Sequence, residues 1–123
     1  MAKDLIIGAY ANYKFDLLKP WINSIKETGF RGDIVLIAID PDTHTVEQIE
    51  KSGVIVIKAK NETKQMIHMQ RFLHVYNFLK WNGALYRYVI TTDVRDVIFQ
   101  KNPIDYLEKN LTNNRIIASS EII

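Results

Sequence analysis

The sequence predicts an α/β domain of the Rossmann-like type, with a mainly parallel sheet flanked by helices. Three observations carry this. Short runs of Ile, Val and Leu occur without polar alternation, as in strands covered on both faces. Segments of helical periodicity separate these runs, giving β-α-β alternation and hence parallel pairing. No internal repeat, low-complexity stretch or linker interrupts the 123 residues, a length that suits one domain with a real core.

The first strand is the continuous apolar run Leu5 to Tyr10. Asn12 stands where it can cap the helix that follows, whose face is Phe15, Leu18, Trp21, Ile22 and Ile25, with Gly29 as its stop. Pro20 falls inside this pattern, so the helix either begins near it or kinks there. Asp33 to Ile39 is a second buried strand, closed by Asp40-Pro41. Thr45 to Ser52 reads as a short helix packing through Val46 and Ile49 and ended by Gly53, before a third strand from Val54 to Ile57.

The longest helix runs from about Thr63 to Asn82, with Met66, Met69, Phe72, Leu73, Tyr76 and Leu79 on one stripe. Trp21 and Trp81, on or near apolar helix faces, are expected in the core. Asn82-Gly83 ends the long helix, and Tyr86 to Thr92 form the fourth strand. Asn102-Pro103 opens a turn and a short helix, Ile104 to Asn110, and Asn113-Asn114 turns into a fifth strand, Arg115 to Ser119. If the strands order 3-2-1-4, the order reverses between strands one and four, where open α/β sheets bind ligands beyond the strands' carboxyl ends.

Composition removes several functions. A formal charge of +2 with no basic run argues against nucleic acid as a partner. No cysteine means no disulfide, thiolate zinc site or thiol nucleophile. No apolar run reaches the ~20 residues of a membrane helix, and Met-Ala-Lys-Asp leads directly into a strand, so the expectation is a cytoplasmic protein without a membrane segment. Gly8 stands alone, so neither GxGxxG nor a P-loop is present. The three histidines, His44, His68 and His74, form no metal-ligand spacing.

The most informative stretch is Tyr88 to Gln100, an apolar strand that runs into Asp93 and Asp96 before the hydrophobic pattern resumes. Carboxylates at the end of a buried strand are poorly solvated and repel each other, and a divalent cation resolves that repulsion. The plainer alternative is a turn in which Asp93 caps a loop and Arg95 pairs with an acid. Opposite this stretch, across the expected switch point, lies the loop Ala9, Tyr10, Ala11, Asn12 and Tyr13, whose small residues, rings and amide suit a base and a ribose. Arg71 and His74, one turn apart on the long helix, can add positive charge; a solvated helix face is the alternative for Arg71.

These segments, in this order, resemble the amino-terminal, nucleotide-sugar-binding half of a GT-A glycosyltransferase. Ala9 to Tyr13 matches the loop that cradles nucleobase and ribose there. Gln70-Arg-Phe-Leu-His-Val-Tyr-Asn-Phe-Leu79 is similar to the helix before the metal strand in glycogenin-like enzymes, where a basic residue at the place of Arg71 reaches the nucleotide. Thr92-Asp-Val-Arg-Asp-Val-Ile-Phe-Gln100 resembles the T-D-x-x-D-V variant of the D-x-D motif, as in the glycosyltransferase domains of collagen lysyl hydroxylases. The resemblance implies that Asp93 and Asp96 ligate Mn²⁺ (or Mg²⁺) bridging the diphosphate of a nucleotide sugar, a UDP-hexose, with Arg71 and Arg95 assisting. Ser119-Ser-Glu121 resembles the strand end that approaches the donor sugar.

The expected activity is hexosyl transfer from the UDP-sugar to an acceptor hydroxyl. Family members continue into an acceptor-binding region with a late His ligand, so residues 1–123 are expected to be a truncated or minimal donor-binding domain. The alternative is a non-catalytic nucleotide-binding or assembly module. A receiver or a haloacid-dehalogenase-type phosphatase fits less well, because their acids follow early strands, where this chain has Gly8-Ala9-Tyr10.

Overall fold

The computed structural model describes residues 3–61 and 66–111. Four strands form one parallel sheet in the order β3-β2-β1-β4. They are β1 (Lys3–Ala11), β2 (Asp33–Ile39), β3 (Ile55–Ala59) and β4 (Tyr86–Thr91). Helices α1 (Phe15–Glu27), α2 (Thr43–Lys51), α3 (Ile67–Asn82) and α4 (Pro103–Asn110) connect and follow them. The fold is therefore Rossmann-like, with the expected 3-2-1-4 order and its reversal between β1 and β4. The expected fifth strand, Arg115 to Ser119, and the helix start at Thr63 lie outside the described residues.

The inner strands β1 and β2 are buried on both faces because helices cover both. Ile6, Tyr10, Ile34, Leu36 and Ala38 pack under Leu18, Trp21, Ile22 and Ile25 of α1 and Ile49 of α2. Leu5, Ile7, Ala9, Val35 and Ile37 face the other way, against Val75, Phe78 and Leu79 of α3.

The helix starts differ from those expected. Asn12 does not cap α1; it adopts a left-handed conformation (φ 64°), and Lys14 takes the cap position without a side-chain bond. The helix begins at Phe15 and continues through Pro20. Pro20 removes the bond to the Asp16 carbonyl, and both residues are exposed, where water can replace it. Helix α2 starts earlier than expected because Asp42 caps it, accepting from the Thr45 backbone N–H at 2.8 Å. Gly29 (φ 78°) and Gly53 (φ 90°) stop α1 and α2 with the positive φ that glycine adopts without strain.

Burial differs from expectation at three places. The stripe Met66, Met69, Phe72, Leu73 and Tyr76 is the exposed face of α3, not its core face, and Trp81 is 80% exposed. The helix is turned so that the shorter set Val75, Phe78 and Leu79 meets the sheet, and Gln70 in its first turns is buried. Strand β4, expected to be buried, alternates half-buried and exposed positions, because α3 packs mainly over β1 and β2 and leaves every second residue of β4 open.

This orientation of α3 is testable by urea unfolding. Phe72→Ser should change stability by about 0.5 kcal/mol or less, whereas Phe78→Ala should lower it by about 2 kcal/mol. The opposite ranking would return the stripe to the core.

Candidate functional site

The chain leaving β4 is held down by apolar and polar anchors in turn. Thr92 donates its N–H to the Ile7 carbonyl at 3.2 Å, extending the ladder past the strand. The Trp21 indole donates to the Thr92 hydroxyl at 3.3 Å, and that hydroxyl also bonds the Asp93 carbonyl oxygen. Val94 then turns inward and is 1% exposed. Its seat is Gly8: a Cβ there would meet Val94 Cγ1 at 2.3 Å and the Thr92 carbonyl oxygen at 2.9 Å. Further on, Val97 and Phe99 pack against the same core cluster, and the Phe99 N–H donates to the Ser24 hydroxyl at 2.9 Å.

With Val94 pinned inward, its neighbours Asp93 and Arg95 are exposed, as is Asp96. The Asp93 side chain is 74% exposed and lies 4.0 Å from the Arg71 guanidinium, itself half-buried. The desolvation expected of these acids is therefore absent; water reaches them, and Arg71 supplies the nearest opposite charge to Asp93. Arg71 and Asp93 line a pocket of about 480 Å³ with Ile7, Ala9, Phe72, Val75, Thr91, Thr92 and Val97. This is the switch-point crevice, bounded by the carboxyl ends of β1 and β4 and by α3.

The expected loop from Ala9 to Tyr13 divides. Ala9, Tyr10 and Ala11 belong to β1, and only Asn12 and Tyr13 lie beyond it. Strand alternation sends Ala9 into the Arg71–Asp93 pocket and Tyr10 to the other face. There Tyr10, Asn12, Tyr13, Lys14, Asp40, Pro41 and Asp42 line a neighbouring pocket of about 270 Å³. The Tyr10 and Tyr13 rings stack with centroids 6.2 Å apart, and the Arg95 guanidinium lies 5.9 Å from the Tyr13 ring centre. Arg95 thus joins the acid-bearing loop to the Tyr13 side.

Electrostatics in this second pocket are set by Asp42. The Lys14 ammonium at 2.8 Å, then the Thr45 backbone N–H and hydroxyl, hold its carboxyl well below the usual carboxylate range. Burial, followed by the nearby Asp42 charge, pushes the Tyr10 phenol up to about 12. Its hydroxyl is buried without a hydrogen-bond partner among the described residues. Asp40, like Asn12, is left-handed (φ 46°). From sequence Asp40 reads only as the close of the second strand, and Asp42 carries no signal beyond a carboxylate near that strand end, which is also what an ordinary helix cap looks like.

His74 does not join the Arg71–Asp93 pocket. It lines a separate groove with Ile37, Ile57 and Trp81, and its Nε2 is buried without a partner among the described residues. No group of three or more His, Asp or Glu side chains forms a metal cage among the described residues. No described helix is long and apolar enough to cross a membrane. Ser119 to Glu121 lie outside the described residues.

Two outcomes check this geometry. Gly8→Ala should destabilise by about 1–3 kcal/mol through overpacking, and adding Val94→Ala should relieve part of that loss; strictly additive effects would contradict the contact. Asp42→Asn keeps a capping side chain but removes the charge. Because the folded carboxyl titrates below its unfolded value of about 4, its contribution is present at neutral pH and lost on acidification. The difference in Tm between wild type and Asp42→Asn should therefore shrink below about pH 4, and salt should reduce it because the pair is exposed. A pH-independent difference would contradict the ion pair.

No family model, curated protein or solved structure matches the chain, so the reading of the site rests on its own geometry.

Proposed function

We propose that this chain is the donor-binding part of a metal-dependent glycosyltransferase that takes a UDP-hexose. One observation carries the reading: Arg71 and Asp93, far apart in sequence, line one crevice with Ala9 at the strand-order reversal. A crevice with a cation and an acid side by side suits a ligand that is both anionic and metal-bound. The diphosphate of a nucleotide sugar has this character, and the adjoining pocket with the stacked Tyr10 and Tyr13 rings offers a flat surface for its base.

The residues fit a hard divalent cation. Mg²⁺ and its relatives are commonly held by one or two carboxylates, water and the ligand's own phosphates, without an all-protein cage. Asp93 and Asp96, both exposed, would hold Mn²⁺ in this way. When bound, the ion would supply Lewis-acid stabilisation of charge on the diphosphate leaving group. Arg71 contributes a fixed positive charge from a half-buried position, where solvent screens it less than at the surface. Arg95 orients Tyr13 from above and can turn to the phosphates. Val94, seated on Gly8, leaves its neighbour Asp93 facing outward.

Titration calorimetry with UDP and Mn²⁺ tests the reading. Wild type should bind; Asp96→Ala should abolish the metal-dependent part. Arg71→Ala should weaken UDP about ten- to hundredfold, as expected for losing a hydrogen bond to a charged group, with little change in Tm. Undiminished binding by Asp96→Ala would overturn the metal assignment. Incubation with UDP-glucose and Mn²⁺ then separates the transferase from a binding module, since only the former should release free hexose to water.

A further inference from the structure

We infer that Gln70 is a positioning residue for Arg71, tying the first turns of α3 to the turn after β2. This rests on the donor-site reading for its ligand, but its structural basis is separate. Among the described residues, the first half of α3 shows little apolar contact with the sheet. Met66 caps it without a side-chain bond, and Met69, Phe72 and Leu73 are exposed. The apolar contacts to the sheet, Val75, Phe78 and Leu79, come later in the helix. Gln70, by contrast, is 0% exposed.

Its side chain enters a chain of hydrogen bonds. Gln70 Nε2 donates to Asn61 Oδ1 at 2.7 Å, the Asn61 backbone N–H donates to Asp40 Oδ1 at 3.2 Å, and the Asp40 N–H donates to the Ala59 carbonyl at 2.9 Å. A buried amide loses much if its partners move, so these bonds fix where the helix begins. They also support Asp40 in its left-handed conformation, which a non-glycine residue adopts at some energetic cost.

The two ends of this chain reach the two pockets. Asp40 lines the pocket with Tyr10, Asn12 and Tyr13, whereas Arg71, the residue after Gln70, lines the pocket with Asp93. Successive helix residues have fixed relative directions, so anchoring Gln70 sets the direction of the Arg71 side chain. The hydrogen-bonded amides of Gln70 and Asn61 thus add a polar tie between the nucleoside side and the diphosphate side, which the apolar packing of β1 already holds together.

Gln70→Leu keeps the volume and removes the amide. With UDP and saturating Mn²⁺ as the probe, Gln70→Leu and Arg71→Ala should each weaken binding about tenfold or more, and the double variant should be no weaker than Arg71→Ala alone. Wild-type affinity in Gln70→Leu, or losses that multiply in the double variant, would overturn the inference. A merely structural role would lower Tm without this non-additivity. Should Gln70→Leu fold poorly, Asn61→Ala breaks the same link from its exposed end and should give the same pattern. Amide hydrogen exchange without ligand provides the independent arm: residues 67–71 should exchange faster in Gln70→Leu while residues 78–82 do not. Unchanged exchange would overturn the tie. If wild type binds no UDP, the donor-site reading fails, and the exchange result alone decides the tie.

Discussion

The contact of Val94 with the bare backbone of Gly8 is the constraint from which the site follows. It lets the chain leaving β4 lie against β1 closely enough for Thr92 to continue the hydrogen-bond ladder at Ile7. With Val94 turned in, Asp93 and Arg95 are left at the surface, one beside Arg71 and the other beside Tyr13. A side chain at position 8 would displace either Val94 or the Thr92 carbonyl, and the acid-bearing loop with them. The lone glycine that fits no phosphate-loop pattern thus has a steric role of its own.

Around this contact the site is built as two compartments rather than one. Alternation along β1 places Ala9 on the Arg71–Asp93 side and Tyr10 on the Asp42 side. The first compartment carries exposed charge and can take an anion with its counter-ion. The second carries aromatic rings, a buried phenol and the Lys14–Asp42 pair, which occupies that acid with a cation of its own. Its carboxylate is thereby less available to an incoming metal than Asp93 and Asp96, which are exposed to solvent. The Gln70–Asn61–Asp40 hydrogen bonds run between residues next to the two, and Arg95 of the acid-bearing loop lies over Tyr13.

The parts of this arrangement legible in the sequence are those decided by local patterning. Leu5 to Tyr10 and Asp33 to Ile39 read as doubly covered strands because both of their faces are apolar, and they are so in the fold. Gly29, Gly53 and the Asn102 cap of α4 follow from chemistry confined to a few residues. What could not be read depends on which neighbour covers which face. The Met66 to Tyr76 stripe is richer in large apolar residues than the face carrying Gln70, Val75 and Phe78, yet the sheet meets the latter. Strand β4 runs into Val89 and Ile90 like a covered strand, but α3 packs mainly over β1 and β2 and leaves alternate residues of β4 open. Asp93 and Asp96 stand out in the sequence, but poor solvation of both requires a buried strand end, and both are exposed. The need for glycine at position 8 arises from Val94, a partner no local window contains.

The central claim is that a metal-bound anion sits at the β1–β4 switch point. Paramagnetic broadening of amide resonances by Mn²⁺ in the presence of UDP locates the ion directly. The expected result is broadening concentrated at residues 92–97, with Ala9 and Arg71 affected next. Broadening centred on Asp42 and His44, or spread evenly over the acidic surface, would contradict the account.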